Sequence, residues 1–216
     1  MHIKTSNQEE LSLGFGEYTC NWGVHICGLY ETAEERDDII FSFFHQGAKS
    51  NDKQLFSPAE QTAEDFTEKY KSRYPEFEHH ILNPDLFSVI NAKELYYSDG
   101  TFSPITMDEN LEKFFTESQK FGRRNIRASA EMVWALEKIP GIEHLMAYES
   151  RLNYFISGKP WISICLYNIT KFSGKTIMNV LQTHPYTITG GVIIQNPYYI
   201  DPDEWLKQND PEFAIK

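Results

Sequence analysis

Cys20, His25 and Cys27 stand in a C-x4-H-x-C arrangement near the start of the chain, and Cys165 is the third cysteine. Thiolate sulfur and imidazole nitrogen are metal ligands, and a thiol beside an imidazole base makes a cysteine nucleophile. The spacing favours neither use. Paired C-x2-C or H-x3-H spacings do not occur, and nothing supplies a third residue to orient His25. His25 and Cys27 therefore read as a strand histidine with a hydrogen-bond partner beside a small apolar thiol, or as residues facing a ligand, with metal or haem ligation a third use. Ser173-Gly174-Lys175-Thr176 suggests a different chemistry, since it follows a strand and opens a helix as the end of a phosphate loop would. A phosphate cradle needs G-x-x-x-x-G-K-[ST], and the first glycine position is Ile169. The turn from Gly28 to Glu34 holds one glycine, two acids and no lysine, which would repel a triphosphate.

Two glutamates and a tryptophan complete the candidates. Glu131 lies just past a strand end, where it is a hydrogen-bonded loop acid or an acid that handles water. Trp134 follows three residues later as core or as a platform for a ligand. Glu149 falls on the apolar stripe of Ile142, Leu145, Met146, Leu152 and Ile156. An unpaired buried carboxylate costs several kcal/mol, so Glu149 needs a structural partner such as an arginine or backbone amides, or a ligand.

These residues sit in a segment, 125–168, that reads as strand, loop, amphipathic helix and apolar strand. That is a βαβ unit, which requires a parallel sheet. Upstream, Trp22 to Tyr30 reads as a strand with Val24, Ile26 and Leu29 as core and His25 and Cys27 on its other face. Thr32 and Glu35 form a capping-box pattern opening a helix striped by Ile39, Ile40, Phe43 and Phe44. A strand at 53–56, an outer helix at 59–73, a strand within 86–97 and a helix at 107–120 lead to the central unit. A helix at 172–183 and a hairpin around Gly190-Gly191 follow it. The alternation predicts an α/β three-layer sandwich with a mostly parallel central sheet and a C-terminal antiparallel hairpin. Residues 1–20 read as a loosely ordered lead-in, 21–200 as the folded domain, and 201–216 as an acidic, half-ordered tail. Ligands in such folds sit at strand carboxyl ends. The expected crevice is therefore lined by His25, Cys27, Tyr30, Glu31, Glu131, Trp134, Glu149 and Tyr167, with no metal assigned to it and no cofactor named.

Acids exceed bases by 31 − 20 = 11 in the 216 residues, which gives a net charge of −11. The single basic knot, Lys120, Arg123, Arg124 and Arg127, is small, so direct nucleic-acid binding is not expected. No apolar run reaches membrane-spanning length and no secretion signal opens the chain, which points to the cytoplasm.

The motifs at 22–31, ELYYSDGTF at 94–102, MVWAL at 132–136, YESRLN at 148–153, CLY at 165–167, Thr183-His184-Pro185, and Gly190-Gly191 with NPYY at 196–199 together resemble a MEDS domain, the methanogen/methylotroph DcmR sensory domain. The resemblance implies a sensory module of prokaryotic signal transduction for simple hydrocarbon derivatives, such as methylated or halogenated one-carbon compounds. It also implies a KaiC/RecA-like fold lacking a functional phosphate loop. Family members commonly carry a helix-turn-helix or kinase domain on the same chain, for which this length leaves no room. The expected partners are thus a small-molecule ligand and a separate signalling or transcription-regulator protein, with a homodimer also compatible, and no enzymatic activity is expected. The alternative is a degenerate RecA-like nucleotide-binding protein or ATPase, with Glu131 as base.

Overall fold

The computed structural model describes residues 11–120, 122 and 124–214. Its strands are β1 (Leu11–Ser12), β2 (Thr19–Cys20), β3 (Val24–Tyr30), β4 (Lys53–Ser57), β5 (Phe87–Val89), β6 (Ile126–Glu131), β7 (Trp161–Asn168), β8 (Tyr186–Thr189) and β9 (Val192–Gln195). The helices are α1 (Ala33–Lys49), α2 (Ala63–Arg73), α3 (Glu78–Ile81), α4 (Ala92–Tyr96), α5 (Pro104–Ser118), α6 (Leu145–Ile156), α7 (Gly174–Thr183) and α8 (Pro202–Asn209). Seven strands form one sheet in the order β5-β4-β6-β7-β3-β8-β9. Every pairing in it is parallel except that of β8 with β9. The expected architecture is therefore present, antiparallel finish included.

A parallel sheet must be covered on both faces, and the alternation of side chains divides its core in two. Ile26, Tyr30, Ile162, Ile164 and Leu166 meet α1 and α2 on one side. Cys27, Trp161, Cys165 and Tyr167 meet α5, α6 and α7 on the other. Leu29 belongs with Cys27 on the second face rather than with Val24 and Ile26, as the period of two along β3 requires. Helix α1 starts where expected, with the Thr32 hydroxyl accepting from the Glu35 amide and the Glu35 carboxylate reaching back. It lies close to the sheet because Gly47 has no side chain: a Cβ there would come within 2.2 Å of Gln54 Nε2.

Three expectations need correction. Helix α2 begins at Ala63, capped by Thr62, and its thin stripe of Phe66 and Tyr70 is wholly buried in an aromatic cluster with Phe44 and Phe87. Over its described part, the lead-in is not loose: β1 and β2 pair antiparallel, and Leu13 and Phe15 enter the α1 side of the core. Residues 1–10 lie outside the described residues. The acidic tail contains α8, whose Trp205 and Leu206 bury themselves against Ala147 of α6, an amphipathic signal masked by the neighbouring acids.

Arg127, part of the expected basic surface knot, is fully buried and pairs with Asp52 at 2.7 Å while donating to the Ser12 carbonyl. Removing the guanidinium would strand the Asp52 carboxylate, so Arg127→Ala should destabilise the chain by about 3–5 kcal/mol in urea unfolding. Lys69→Ala, at an exposed bridge to Asp37, should cost less than about 1 kcal/mol. A second expectation concerns the C-terminal segment, where His144 bonds Asp210 at 2.9 Å and that bond raises the imidazole pKa. A raised folded pKa contributes stability that is complete below the unfolded value and is lost as pH rises through the folded one. Hydrogen exchange in residues 202–213 should therefore quicken as pH is raised from 6 to 9, after correction for intrinsic rates, and His144→Gln should remove that extra dependence.

Candidate functional site

Glu149 projects from α6 toward the sheet, and neither of its oxygens reaches solvent. Its Oε1 accepts from the Tyr167 hydroxyl at 2.5 Å. Its Oε2 lies 3.3 Å from His25 Nε2, 3.5 Å from Cys165 Sγ and 3.5 Å from His184 Nε2. His25 Nε2 is in turn 3.4 Å from Cys165 Sγ, and the two imidazole rings are 3.9 Å apart. Adjacent parallel strands bring His25 and Cys165 together on one face, the turn of α6 supplies Glu149, and His184 enters from the residue that ends α7. Arg151 is not the partner of Glu149; it turns to Asp108 of α5 and to the Phe213 carbonyl. Burial lowers both His25 and His184 to about 3, so both rings are neutral at physiological pH. Burial likewise raises the Glu149 carboxyl and the Cys165 thiol, the latter with a further push from Glu149. Cys27, paired in register with Cys165, contacts the Thr187 hydroxyl at 3.4 Å, and burial moves its thiol up to about 12. Such a thiol is no nucleophile at neutral pH.

Beside this cluster, between β4, β6 and β7 and the helices α5 and α6, is an internal cavity of about 30 Å³. Leu55, Ala128, Ala130, Leu111, Leu152 and Trp161 form its apolar walls, and Tyr96, Tyr148 and Cys165 its polar end. The space exists because β6 presents alanine at successive positions on this face. Trp134 stacks on Tyr96 at 4.4 Å between ring centroids and so backs the tyrosine rather than lining the space.

The remaining expected residues lie elsewhere. Glu131 and Tyr30 point to the α1 and α2 side of the sheet. The Glu131 carboxylate accepts from the amides of Ala59 and Glu60 at 2.6 and 2.5 Å and from the Gln61 side chain at 2.8 Å, with Arg36 Nε at 3.3 Å. Glu60 binds Lys171 at 2.6 Å and Arg36 at 3.4 Å; burial opposes its charge, but Lys171, Tyr30 and Arg36 hold its carboxyl below the usual range. Glu31 is exposed, and its amide donates to Glu35 at 2.7 Å. The amides that open α1 are thus engaged by the chain's own Glu35 and Thr32. At the other phosphate-loop lookalike, Ser173 caps Thr176 as an ordinary helix start. His25, Cys27, Glu149 and Tyr167 therefore converge, Trp134 flanks them, and Tyr30, Glu31 and Glu131 do not join them. Sequence reasoning missed Cys165 and His184 as site residues; the period of two along β7 places Cys165 on the face of Tyr167, whereas His184 carried no comparable signal.

The family described as MEDS, MEthanogen/methylotroph, DcmR Sensory domain, matches residues 24–185, three quarters of the chain. The protein belongs to the MEDS family. Among curated proteins, the transcriptional repressor DcmR of Methylorubrum extorquens is 23% identical over 164 residues, which cover 76% of this chain and 58% of DcmR. The chain thus spans little more than half the length of that relative. Among solved structures, a KaiC-like protein of Pyrococcus horikoshii superposes with a TM-score of 0.59 at 11% identity, covering 84% of this chain and 80% of that one. The flagellar accessory protein FlaH of Methanocaldococcus jannaschii gives 0.57 at 13% identity, covering 91% and 90%. Both likenesses show the KaiC-like fold of this MEDS chain. No helix among the described residues is long and apolar enough to cross a membrane.

Because Glu131 satisfies two amides and Arg36 inside the protein, its removal should be a stability lesion. Glu131→Ala should lower unfolding stability by about 3–5 kcal/mol and expose residues 58–62 to limited proteolysis. Glu131→Gln, which keeps an acceptor, should cost less; equal loss in the two variants would contradict the assigned role.

Proposed function

We propose that this MEDS chain is a sensory module that takes a small, uncharged one-carbon-type molecule into the cavity between β6, β7, α5 and α6. The supporting observation is the cavity itself. A buried water needs roughly 10–15 Å³ by the same measure, so about 30 Å³ suits a guest of a few non-hydrogen atoms. Its walls are largely apolar, and the polar side chains of its lining are those of Tyr96, Ser129, Tyr148, Ser163 and Cys165. Halogenated or methylated one-carbon compounds match that balance, whereas a nucleotide does not. The seat differs from the strand-end crevice expected from the sequence, where Glu131, Glu60, Arg36 and Lys171 bind one another.

A guest signals only through a conformation that it prefers. Helices α5 and α6 form the movable wall, and α8 rests on α6 outside the family match. The output is therefore a change in how the α6 and α8 surface is presented to a separate transcription regulator in the cytoplasm. The nucleotide alternative has less support, since the amides that begin α1 already bind Glu35.

Thermal unfolding with dichloromethane tests the seat, and methylamine, a cation at neutral pH, should give no rise. At about ten times its Kd, a bound ligand adds about 1.4 kcal/mol and raises the Tm by about 3–6 °C for a chain of this size. Ala128→Val, which fills part of the space, should leave the ligand-free fold intact and abolish the rise. A rise with magnesium ATP instead, unaffected by Ala128→Val, would refute this reading.

A further inference from the structure

His25, Glu149, Cys165 and His184 form one buried cluster of metal-ligating side chains. The contacts of Glu149 Oε2 with His25 Nε2, Cys165 Sγ and His184 Nε2, and that of His25 with Cys165, span 3.3 to 3.5 Å. The four ligand atoms all lie within 4.8 Å of one another. Zinc bonds of about 2.0–2.2 Å to nitrogen and oxygen and about 2.3 Å to sulfur give a tetrahedron with edges of about 3.3–3.7 Å. Four of the six edges are those of such a tetrahedron, and the two from His184 Nε2 to His25 and to Cys165 lie within 4.8 Å.

The lone pair of His184 points the right way. His184 Nδ1 lies 2.8 Å from the Val180 carbonyl, which can only accept, so Nδ1 carries the proton and Nε2 presents its lone pair. That Nε2 is wholly buried, has no hydrogen-bond partner, and faces an oxygen of Glu149. Two acceptors confronting each other in an apolar layer require a cation or a proton between them. Tyr167 orients the other oxygen of Glu149, as partners behind metal-binding carboxylates do. The charge also balances: a divalent ion with one thiolate, one carboxylate and two neutral imidazoles is neutral overall.

We infer that His25, Glu149, Cys165 and His184 bind one divalent transition-metal ion, zinc by its donor set, in a closed tetrahedral site that fastens α6 and the end of α7 to strands β3 and β7. Four protein donors leave no open position, which makes the site structural. Ligands from four separated elements assemble only in the folded chain, so the ion enters during folding, releasing the Cys165 proton and any proton held by Glu149. The inference does not rest on the one-carbon ligand, because metal uptake is measured in its absence.

The test uses the full chain, free of polyhistidine tags, unfolded with chelator and refolded with Zn²⁺ or Co²⁺. The expected result is one ion per chain by elemental analysis. The Co²⁺ form should show strong visible bands of tetrahedral geometry and one thiolate-to-metal charge-transfer band. Cys165→Ser should abolish that band, Cys27→Ser should keep it, and Tyr167→Phe should weaken binding about ten- to hundredfold. Should Cys165→Ser fail to fold, X-ray absorption at the zinc edge of the wild type decides, with one sulfur and three nitrogen or oxygen neighbours expected. Substoichiometric metal, an octahedral cobalt spectrum, two sulfur neighbours or none, or a band that follows Cys27 would each overturn the assignment. Metal uptake without any response to dichloromethane would leave this site standing and the sensing cavity refuted, and the converse holds equally.

Discussion

A carboxylate held in an apolar layer is the constraint on which this structure turns. Glu149 sits between α6 and the sheet with no access to water, where a charge without partners costs several kcal/mol. Its neighbours come from β3, β7 and the residue closing α7, so α6 has only one position in which Glu149 is accommodated. Apolar packing alone tolerates sliding and repacking; a polar group that must meet several others does not. Leu145, Leu152 and Ile156 supply most of the attraction of α6 for the sheet, and Glu149 supplies the register.

The opposite face of the sheet shows the same economy of charge with a different outcome. The strand-end position where folds of this kind receive ligands lies between β3 and β7, whose following helices leave on opposite faces. Here Glu131 and Glu60 bind Arg36, Lys171 and two backbone amides, while Glu35 binds the amides ahead of α1. Each carboxylate occupies donors that an anionic ligand would use. The KaiC-like scaffold is thus retained while donors at its strand ends are engaged by the chain's own acids.

The fold was legible because its signals are local. The capping box at Thr32 and Glu35, the apolar runs of β3 and β7, and the Gly190-Gly191 turn each determine structure within a few residues. The site was legible only in part. Glu149 announced itself by breaking an apolar stripe, and the period of two put His25 and Cys27 on one face. The same period also puts Tyr30 and Glu131 on the other face, but a crevice imagined at the strand ends hides that distinction. Cys165 and His184 meet Glu149 through pairings 16 and 35 residues away in the chain, and such contacts follow from sheet order, which sequence periodicity does not encode. Helix α8 was hidden for a simpler reason: Asp201, Asp203 and Glu204 crowd its start, yet Trp205 and Leu206 suffice to dock it.

On the proposed reading, placing a sensing cavity next to such a cluster has a mechanical logic. Cys165 borders both, so the wall nearest a guest is also the strand residue that faces Glu149. A guest that pressed on Leu111 or Leu152 would act on a helix tied to the sheet through Glu149 and to α5, α8 and the Phe213 carbonyl through Arg151 and Tyr154. Rigid packing converts a small local displacement into a choice between discrete arrangements rather than a graded one. The buried carboxylate does what a leucine in its place could not: it fixes where the helix sits.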